Sequence, residues 1–226
     1  MYKIMVIEDE EQIRQELKVL LENALYQTVA AEQFENLEQQ VAEEAPDLVL
    51  LDVTLPGTDG ITLCKNIRKT SDVPIIFLTS RNTAMDELNG MTMGGDDYIS
   101  KPFYAPILLA RIAAVVKRAA GEKPERGEGN RITVQGCVLN LLDSTILYDG
   151  KSQELTKNEF RICYCLFSNE GRIVPREEIM DDLWENHIFI DDNTLSVHIT
   201  HIRAKLKKIG LADFIETKRG QGYLVH

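Results

Sequence analysis

Asp47-Leu48-Val49-Leu50-Leu51-Asp52 is the stretch whose reading decides the fold. Four apolar side chains stand in an unbroken row that ends on a carboxylate. A strand with one wet face alternates apolar and polar residues, so the run Val49–Leu51 marks a central strand buried on both faces. Outward from it, short apolar runs recur at Tyr2–Ile7, Thr28–Ala31, Pro74–Leu78 and Asp97–Ile99, making five predicted strands with Asp47–Leu51. Each is followed by a longer segment of helical period. In Glu11–Leu25 the apolar face is Ile13, Leu17, Leu20 and Leu21; in Ala105–Ala119 it is Ile107, Leu108, Ile112 and Val115. Strands alternating with helices of this length imply right-handed crossovers and a five-stranded, parallel, doubly wound α/β sheet.

Such sheets bind ligands beyond the carboxyl ends of their strands. The first strand runs into Glu8-Asp9-Glu10, the third into Asp52, the fourth into Thr79-Ser80 and the fifth into Lys101-Pro102. Singly, each has a plain structural reading: Lys-Pro as a turn, Thr as a cap, acids as the first turn of a helix, which suffices for Glu10 and Glu11. Their joint placement at four strand ends points to one cleft. Carboxylates packed together as Glu8, Asp9 and Asp52 repel unless a cation sits among them, and an all-oxygen set suits Mg2+ better than zinc. The partner implied is a phosphoryl group, with Asp52 as nucleophile, Lys101 neutralising one oxygen and Thr79 donating to another.

The chain has 226 residues, with 25 Lys and Arg against 36 Asp and Glu and a net charge of −11. A content of 44% hydrophobic and 27% charged residues is that of a chain with a real core and excludes disorder or a collagen-like repeat. No apolar run approaches the roughly 18 residues of a membrane span, and the start MYKIMVIEDE has no basic leader, so no membrane insertion and a cytoplasmic location are expected. Cys64, Cys137, Cys163 and Cys165 are too scattered for a zinc site and read as buried small residues. Gly121–Asn130 offers nothing apolar to bury. The expected organisation is a domain over 1–119, a linker over 120–130 and a second domain over 131–226.

Val6-Ile7-Glu8-Asp9-Glu10, Leu50–Gly60 (LLDVTLPGTDG), Leu78-Thr79-Ser80 and Gly95–Phe103 (GDDYISKPF) resemble the receiver domain of two-component response regulators. The resemblance runs through the first half. It implies that Asp52 accepts a phosphoryl group from a sensor histidine kinase and that Glu8, Asp9, Asp52 and the Thr54 carbonyl hold Mg2+. Thr79 and Lys101 would bind phosphoryl oxygens, and Tyr98 would turn inward with Thr79 on activation.

In the second half, strand-like runs at Arg131–Gln135, Cys137–Leu141, Thr145–Tyr148 and Gln153–Leu155 are punctuated by turns, Asp149-Gly150 being a strong hairpin signal. Thr156 with Glu159 has capping-box spacing for a helix that Gly171 ends. Pro175 starts a second helix, Glu177–Glu185, and Asp192 caps a third, Asn193–Ile209. On the third, Leu195, Ile199, Ile202 and Leu206 form a buried stripe, leaving Asn193, Thr200, His201, Arg203 and Lys207 to face outward. Two further strands then meet at a basic turn containing Lys218 and Arg219. Residues 193–226 carry six basic and two acidic residues, a reversal of the chain's overall sign. A polar, basic helix beside a basic hairpin fits double-stranded DNA, as a winged helix-turn-helix.

Leu155–Phe160, Ser196–Leu206 and Thr217–Tyr223 resemble the effector domain of OmpR/PhoB-type regulators. That resemblance puts Thr200 and His201 at base edges, His198, Arg203 and Lys205 at phosphates, and Arg219 at the wing tip; Asn193 and Lys218 belong to the same surface. His198 reads equally well as a half-buried structural residue. The whole implies a regulator of transcription, not an enzyme, that forms a symmetric homodimer on phosphorylation through the fourth helix, fifth strand and fifth helix. Asp97, Arg111 and Arg118 keep part of the usual charge pattern there, while Met91, Met93, Ile107 and Leu108 make the face more apolar. Three other readings are weighed: a constitutive DNA binder, a Mg2+-dependent aspartyl-phosphate phosphatase, which needs a second acid where Thr54 stands, and a flavodoxin-like FMN binder, whose phosphate loop would replace the three acids. The stretch Ile209–Thr217 resembles regulators answering cell-envelope or antimicrobial-peptide stress.

Overall fold

The computed structural model describes residues 1–79, 94–121, 130–185 and 191–226, with the side chains of Trp184 and Glu185 left aside. The chain divides into two compact units, Met1–Glu125 and Arg126–His226.

In the first unit, β1 (Lys3–Ile7), β2 (Gln27–Ala30) and β3 (Leu48–Asp52) precede a small hairpin, β4 (Thr54–Leu55) and β5 (Thr58–Asp59), followed by β6 (Ile75–Thr79) and β7 (Asp97–Ser100). Five strands form one parallel sheet in the order β2-β1-β3-β6-β7. Helices α1 (Glu11–Asn23), α2 (Leu37–Glu44) and α3 (Gly60–Ile67) supply crossovers, and α4 (Ala105–Ala119) follows the last strand and packs back on the sheet. A further helix expected between β6 and β7, with Met91 and Met93, lies outside the described residues.

Alternation along the strands explains the two cores. Met5, Ile7, Val49, Leu51, Ile75 and Phe77 join Leu37, Val41, Leu63 and Ile67 on one side. Ile4, Val6, Leu48, Leu50, Ile76 and Leu78 join Leu17, Leu21, Leu108 and Ile112 on the other. Every residue of β3 is buried, as its unbroken apolar run requires. Two expectations shift. Asp52 and Thr79 are the last residues of their strands rather than the first beyond them, because their backbones still pair with Leu78 and Ser100. The first helix stops at Asn23, since Leu25 takes a left-handed φ of 63°.

The second unit opens with an antiparallel sheet of β8 (Arg131–Val134), β9 (Cys137–Asn140), β10 (Thr145–Tyr148) and β11 (Lys151–Glu154), in the order β11-β10-β9-β8. Asp149 and Gly150, at φ 47° and 73°, turn the last hairpin tightly, so β11 begins two residues before the expected strand. Helix α5 (Lys157–Phe167) carries the full capping box of Thr156 and Glu159. It ends at Phe167, ahead of Gly171, whose N–H instead bonds the Val225 carbonyl.

Pro175 does not open a helix. It lies in β12 (Val174–Pro175), paired with Gly222, and α6 (Arg176–Glu185) starts one residue on. The cap of α7 (Asp192–Lys208) is Asp191, whose carboxylate accepts the Thr194 N–H at 2.7 Å. Then β13 (Glu216–Lys218) and β14 (Gly222–Leu224) complete a three-stranded sheet with β12. Leu195, Ile199, Ile202 and Leu206 are all buried, as their spacing demands. All four cysteines are buried and outside any disulfide; burial pushes Cys137 and Cys165 each up to about 12, so they are packing residues rather than nucleophiles.

Candidate functional site

At the carboxyl edge of the parallel sheet, Glu8 follows β1, Asp52 ends β3, Thr79 ends β6 and Lys101 follows β7. Their relative exposures are 0% for Glu8, 5% for Asp52 and 1% for Thr79. Lys101 Nζ donates to Asp52 Oδ2 at 2.6 Å, and the Thr54 N–H donates to Asp52 Oδ1 at 2.9 Å. Lys101 Nζ also stands 2.6 Å from Glu8 Oε2, though off the hydrogen-bond direction, so that buried oxygen makes no hydrogen bond. The Lys101 N–H bonds the Thr79 carbonyl at 2.6 Å, tying β6 to the residue that closes the cleft. The Lys101-Pro102 peptide is cis.

Gly60 explains how the chain passes so close behind Asp52. A Cβ there would fall 2.1 Å from the Asp52 carbonyl oxygen, so any side chain would push the start of α3 off the Asp52 backbone. Asp59 caps that helix through the Ile61 N–H at 3.0 Å.

Burial, with Asp52 adding to it against the pull of Lys101, raises the Glu8 carboxyl to about 7. Burial acts to lower the Lys101 ammonium, but the hydrogen bond to Asp52 and the nearby charge of Glu8 outweigh it and hold the group above its ordinary value. One oxygen each of Glu8, Asp9 and Asp52 lies within 4.8 Å of the others, and the donors are all hard. Together with the buried Glu8 oxygen that no hydrogen bond satisfies, this set fits a divalent metal. Thr54 is exposed beside it. Tyr98 is already inward, 8% exposed and within the core that holds Phe77 and Val53.

Of the expected dimer face, Asp97 and Arg111 pair within the chain at 2.6 Å, Arg118 is exposed and Ile107 is half-buried. Leu108 does not belong to it. Its side chain is fully buried against the sheet, one position round α4 from the outward Ile107. Met91 and Met93 lie outside the described residues.

In the second unit, α7 presents exposed Asn193, Thr200 and His201, with Val197 at 51% exposure between them. Thr200 Oγ1 donates to the Ser196 carbonyl at 2.8 Å. His198 is half-buried, its Nε2 3.5 Å from Asn158 Nδ2. Two expected phosphate contacts turn inward instead. Arg203 donates to the Ile215 carbonyl at 2.7 and 3.1 Å and to Thr217 Oγ1 at 2.7 Å, bracing the wing, because a guanidinium there meets the carbonyl just ahead of β13. Lys205 Nζ bonds the Glu154 carbonyl at 2.9 Å and the buried Glu159 carboxylate at 2.6 Å. Lys218 pairs with Glu216 at 2.6 Å, and Arg219 is exposed in the turn.

Two positions escape a reading from sequence. Arg14 donates to the carbonyls of Glu8 and Asp9, and its only sequence signal is a lone basic residue among Glu8, Asp9, Glu10, Glu11 and Glu16. Arg176 joins Asp192, Ser196 and Tyr223, its guanidinium 5.1 Å from the Tyr223 ring centre, and its partners lie too far along the chain for any local pattern to reveal.

A doubly wound sheet with an acidic, lysine-closed cleft, followed by a winged helix, defines the class of receiver-containing DNA-binding regulators. Residues 4–113 match the response regulator receiver domain, and residues 150–225 match the C-terminal domain of transcriptional regulatory proteins. The chain is 38% identical over 224 residues to the sensory transduction protein BceR of Halalkalibacterium halodurans, covering 99% of this chain and 96% of that one. It is 39% identical over 223 residues to the transcriptional regulatory protein YxdJ of Bacillus subtilis, covering 99% and 97%. A two-component response regulator from Clostridium difficile matches 52% of this chain over 98% of its own, at 34% identity and a TM-score of 0.50. The chain belongs to the two-component response regulators of the OmpR/PhoB type, and so is a transcription regulator rather than an enzyme. Among the described residues, no helix is long and apolar enough to cross a membrane.

Proposed function

We propose that Asp52 is the phosphoacceptor of this regulator, with a sensor histidine kinase as donor and promoter DNA as target. The supporting observation is Asp52 itself, buried at a strand end with Lys101 Nζ at 2.6 Å and the Glu8 and Asp9 oxygens within 4.8 Å. An Asp52 carboxylate oxygen forms the new bond to phosphorus as the bond to the donor breaks. Lys101 then meets a phosphoryl oxygen, and the Thr79 hydroxyl donates to another. Mg2+ held by Glu8, Asp9, Asp52 and the Thr54 carbonyl supplies charge neutralisation to the phosphoryl oxygens when bound. The inward Tyr98 and Thr79 carry the change towards the face of Asp97, Ile107, Arg111 and Arg118, where two chains pair as a homodimer.

In this reading 1–119 is the receiver, 120–130 the linker and 131–226 the DNA-binding domain, working in the cytoplasm. Asn193, Thr200 and His201 meet base edges; His198, Lys218 and Arg219 meet the backbone. The signal is cell-envelope or antimicrobial-peptide stress, a reading that rests on the stretch Ile209–Thr217. Intact mass after incubation with acetyl phosphate, with and without Mg2+, tests the core of it. A Mg2+-dependent gain of one phosphoryl group, absent in Asp52→Asn and accompanied by dimerisation, is the expected result. Labelling that persists in Asp52→Asn moves the nucleophile elsewhere.

A further inference from the structure

We propose that Arg14 is a positioning residue of the acidic cleft: by gripping the carbonyls of Glu8 and Asp9, it fixes the loop that carries two of the three carboxylates that would hold Mg2+. This rests on the reading of the cleft as a Mg2+ site. The loop between β1 and α1 needs such a device. Pairing in β1 stops at Ile7, so the carbonyls that follow have no partner strand. Glu10, at the N-cap of α1, has extended backbone angles and makes no side-chain capping bond.

One residue from the first turns of α1 compensates. Arg14 Nη1 donates to the Glu8 carbonyl at 2.7 Å and to the Asp9 carbonyl at 3.1 Å, while the Arg14 N–H bonds the Glu10 carbonyl at 2.9 Å. Three successive carbonyls thus answer to a single residue. The consequence falls on Asp9. Its carboxylate is exposed, and no side-chain hydrogen bond holds it among the described residues, so its direction follows from the backbone that Arg14 fixes. Glu8, in contrast, is held by burial as well.

Charge and orientation act in opposite senses here. The Arg14 guanidinium repels a cation in the cleft, whereas its grip arranges the ligands for one. Both bonds leave the single nitrogen Nη1, and the lysine stem is one atom shorter, so Arg14→Lys keeps the charge while drawing the donor back from the two carbonyls and isolates orientation. Arg14→Gln loses the charge and keeps a shorter donor, so its loss of affinity should be the smaller.

Calorimetric titration of the full chain with Mg2+ reads the effect directly. Arg14→Lys should weaken Mg2+ binding by about tenfold, the scale of an outer support lost from a metal site. Its melting midpoint should stay close to that of the wild type. At saturating Mg2+, its labelling by acetyl phosphate should proceed at the wild-type rate, which a general loss of structure would not allow. Asp9→Asn serves as the control for the site itself. Unchanged affinity in both Arg14 variants, with binding lost in Asp9→Asn, overturns the role of Arg14 and leaves the cleft standing. Slow labelling at saturating Mg2+ in both variants also overturns it, since Arg14 would then be supporting the whole fold. Absence of Mg2+ binding by the wild-type chain overturns the cleft reading and this proposal together.

Discussion

Glu8 is fully buried next to Asp52, and that placement sets a pH dependence with a definite sign. Burial raises its carboxyl to about 7 from an ordinary 4.5. Between those values the folded chain keeps a proton that the unfolded chain has released, so folding takes up protons and stability falls as pH rises through that window. Above 7 both states are ionised and this contribution becomes flat. A divalent cation reverses the preference by favouring the ionised carboxylate. Mg2+ should therefore stabilise the receiver more strongly above pH 7 than near pH 5, and its binding near neutrality should release protons. Thermal unfolding in chelator and in Mg2+ across this range is the check, and stability rising with pH in chelator would contradict it. Glu8, Asp9, Asp52, Thr79 and Lys101 were all legible in sequence because each stands at the end of an apolar run. Arg14 was not, because its role depends on a helix turning it back over the preceding loop.

Elements show the same division between local and distant causes. The capping box of α5 is legible from the spacing of Thr156 and Glu159, since both bonds close within one turn. That Glu159 also receives Lys205, 46 positions away, is not legible. Burial opposes ionisation of Glu159, but Lys205 and Thr156 overcome it and hold the carboxyl below its ordinary value, so a charge that reads as a phosphate contact is spent inside the domain. Arg203 is engaged likewise, on the Ile215 carbonyl 12 positions ahead. The consequence is measurable in the salt dependence of DNA binding. Each phosphate contact removed should lower the slope of log affinity against log salt by about one. Arg219→Ala, at the exposed turn between β13 and β14, should lower it by that amount. Arg203→Ala should weaken binding by displacing the wing while leaving the slope near the wild-type value. Equal slope changes in the two variants would return Arg203 to the phosphates.

At the scale of the whole molecule, 1–120 carries 11 basic and 19 acidic residues, a charge of −8, while 193–226 carries +4. The receiver should therefore not cling to DNA, and in the homodimer proposed above binding by the second unit would gain from its being held near a second copy. The sequence shows two units and a polar stretch between them, because composition changes sharply at Gly121–Asn130. It does not show which charges of the proposed pairing face are already satisfied. Arg111 pairs with Asp97 of its own chain at 2.6 Å. With Leu108 turned into the core, the described part of the face reduces to that internal ion pair, half-buried Ile107 and exposed Arg118. Charges paired within a chain gain little from a second copy, and exposed pairs are screened by salt. Self-association of the phosphorylated chain should then rest on apolar contact and change little from low to high salt. Sedimentation of acetyl-phosphate-treated protein across a salt series measures this, and a steep loss of dimer with salt would show that Asp97 and Arg118 pair between chains. In Ile107→Asp the dimer should weaken at every salt concentration while the mass gain at Asp52 stays complete, separating the face from the phosphorylation site.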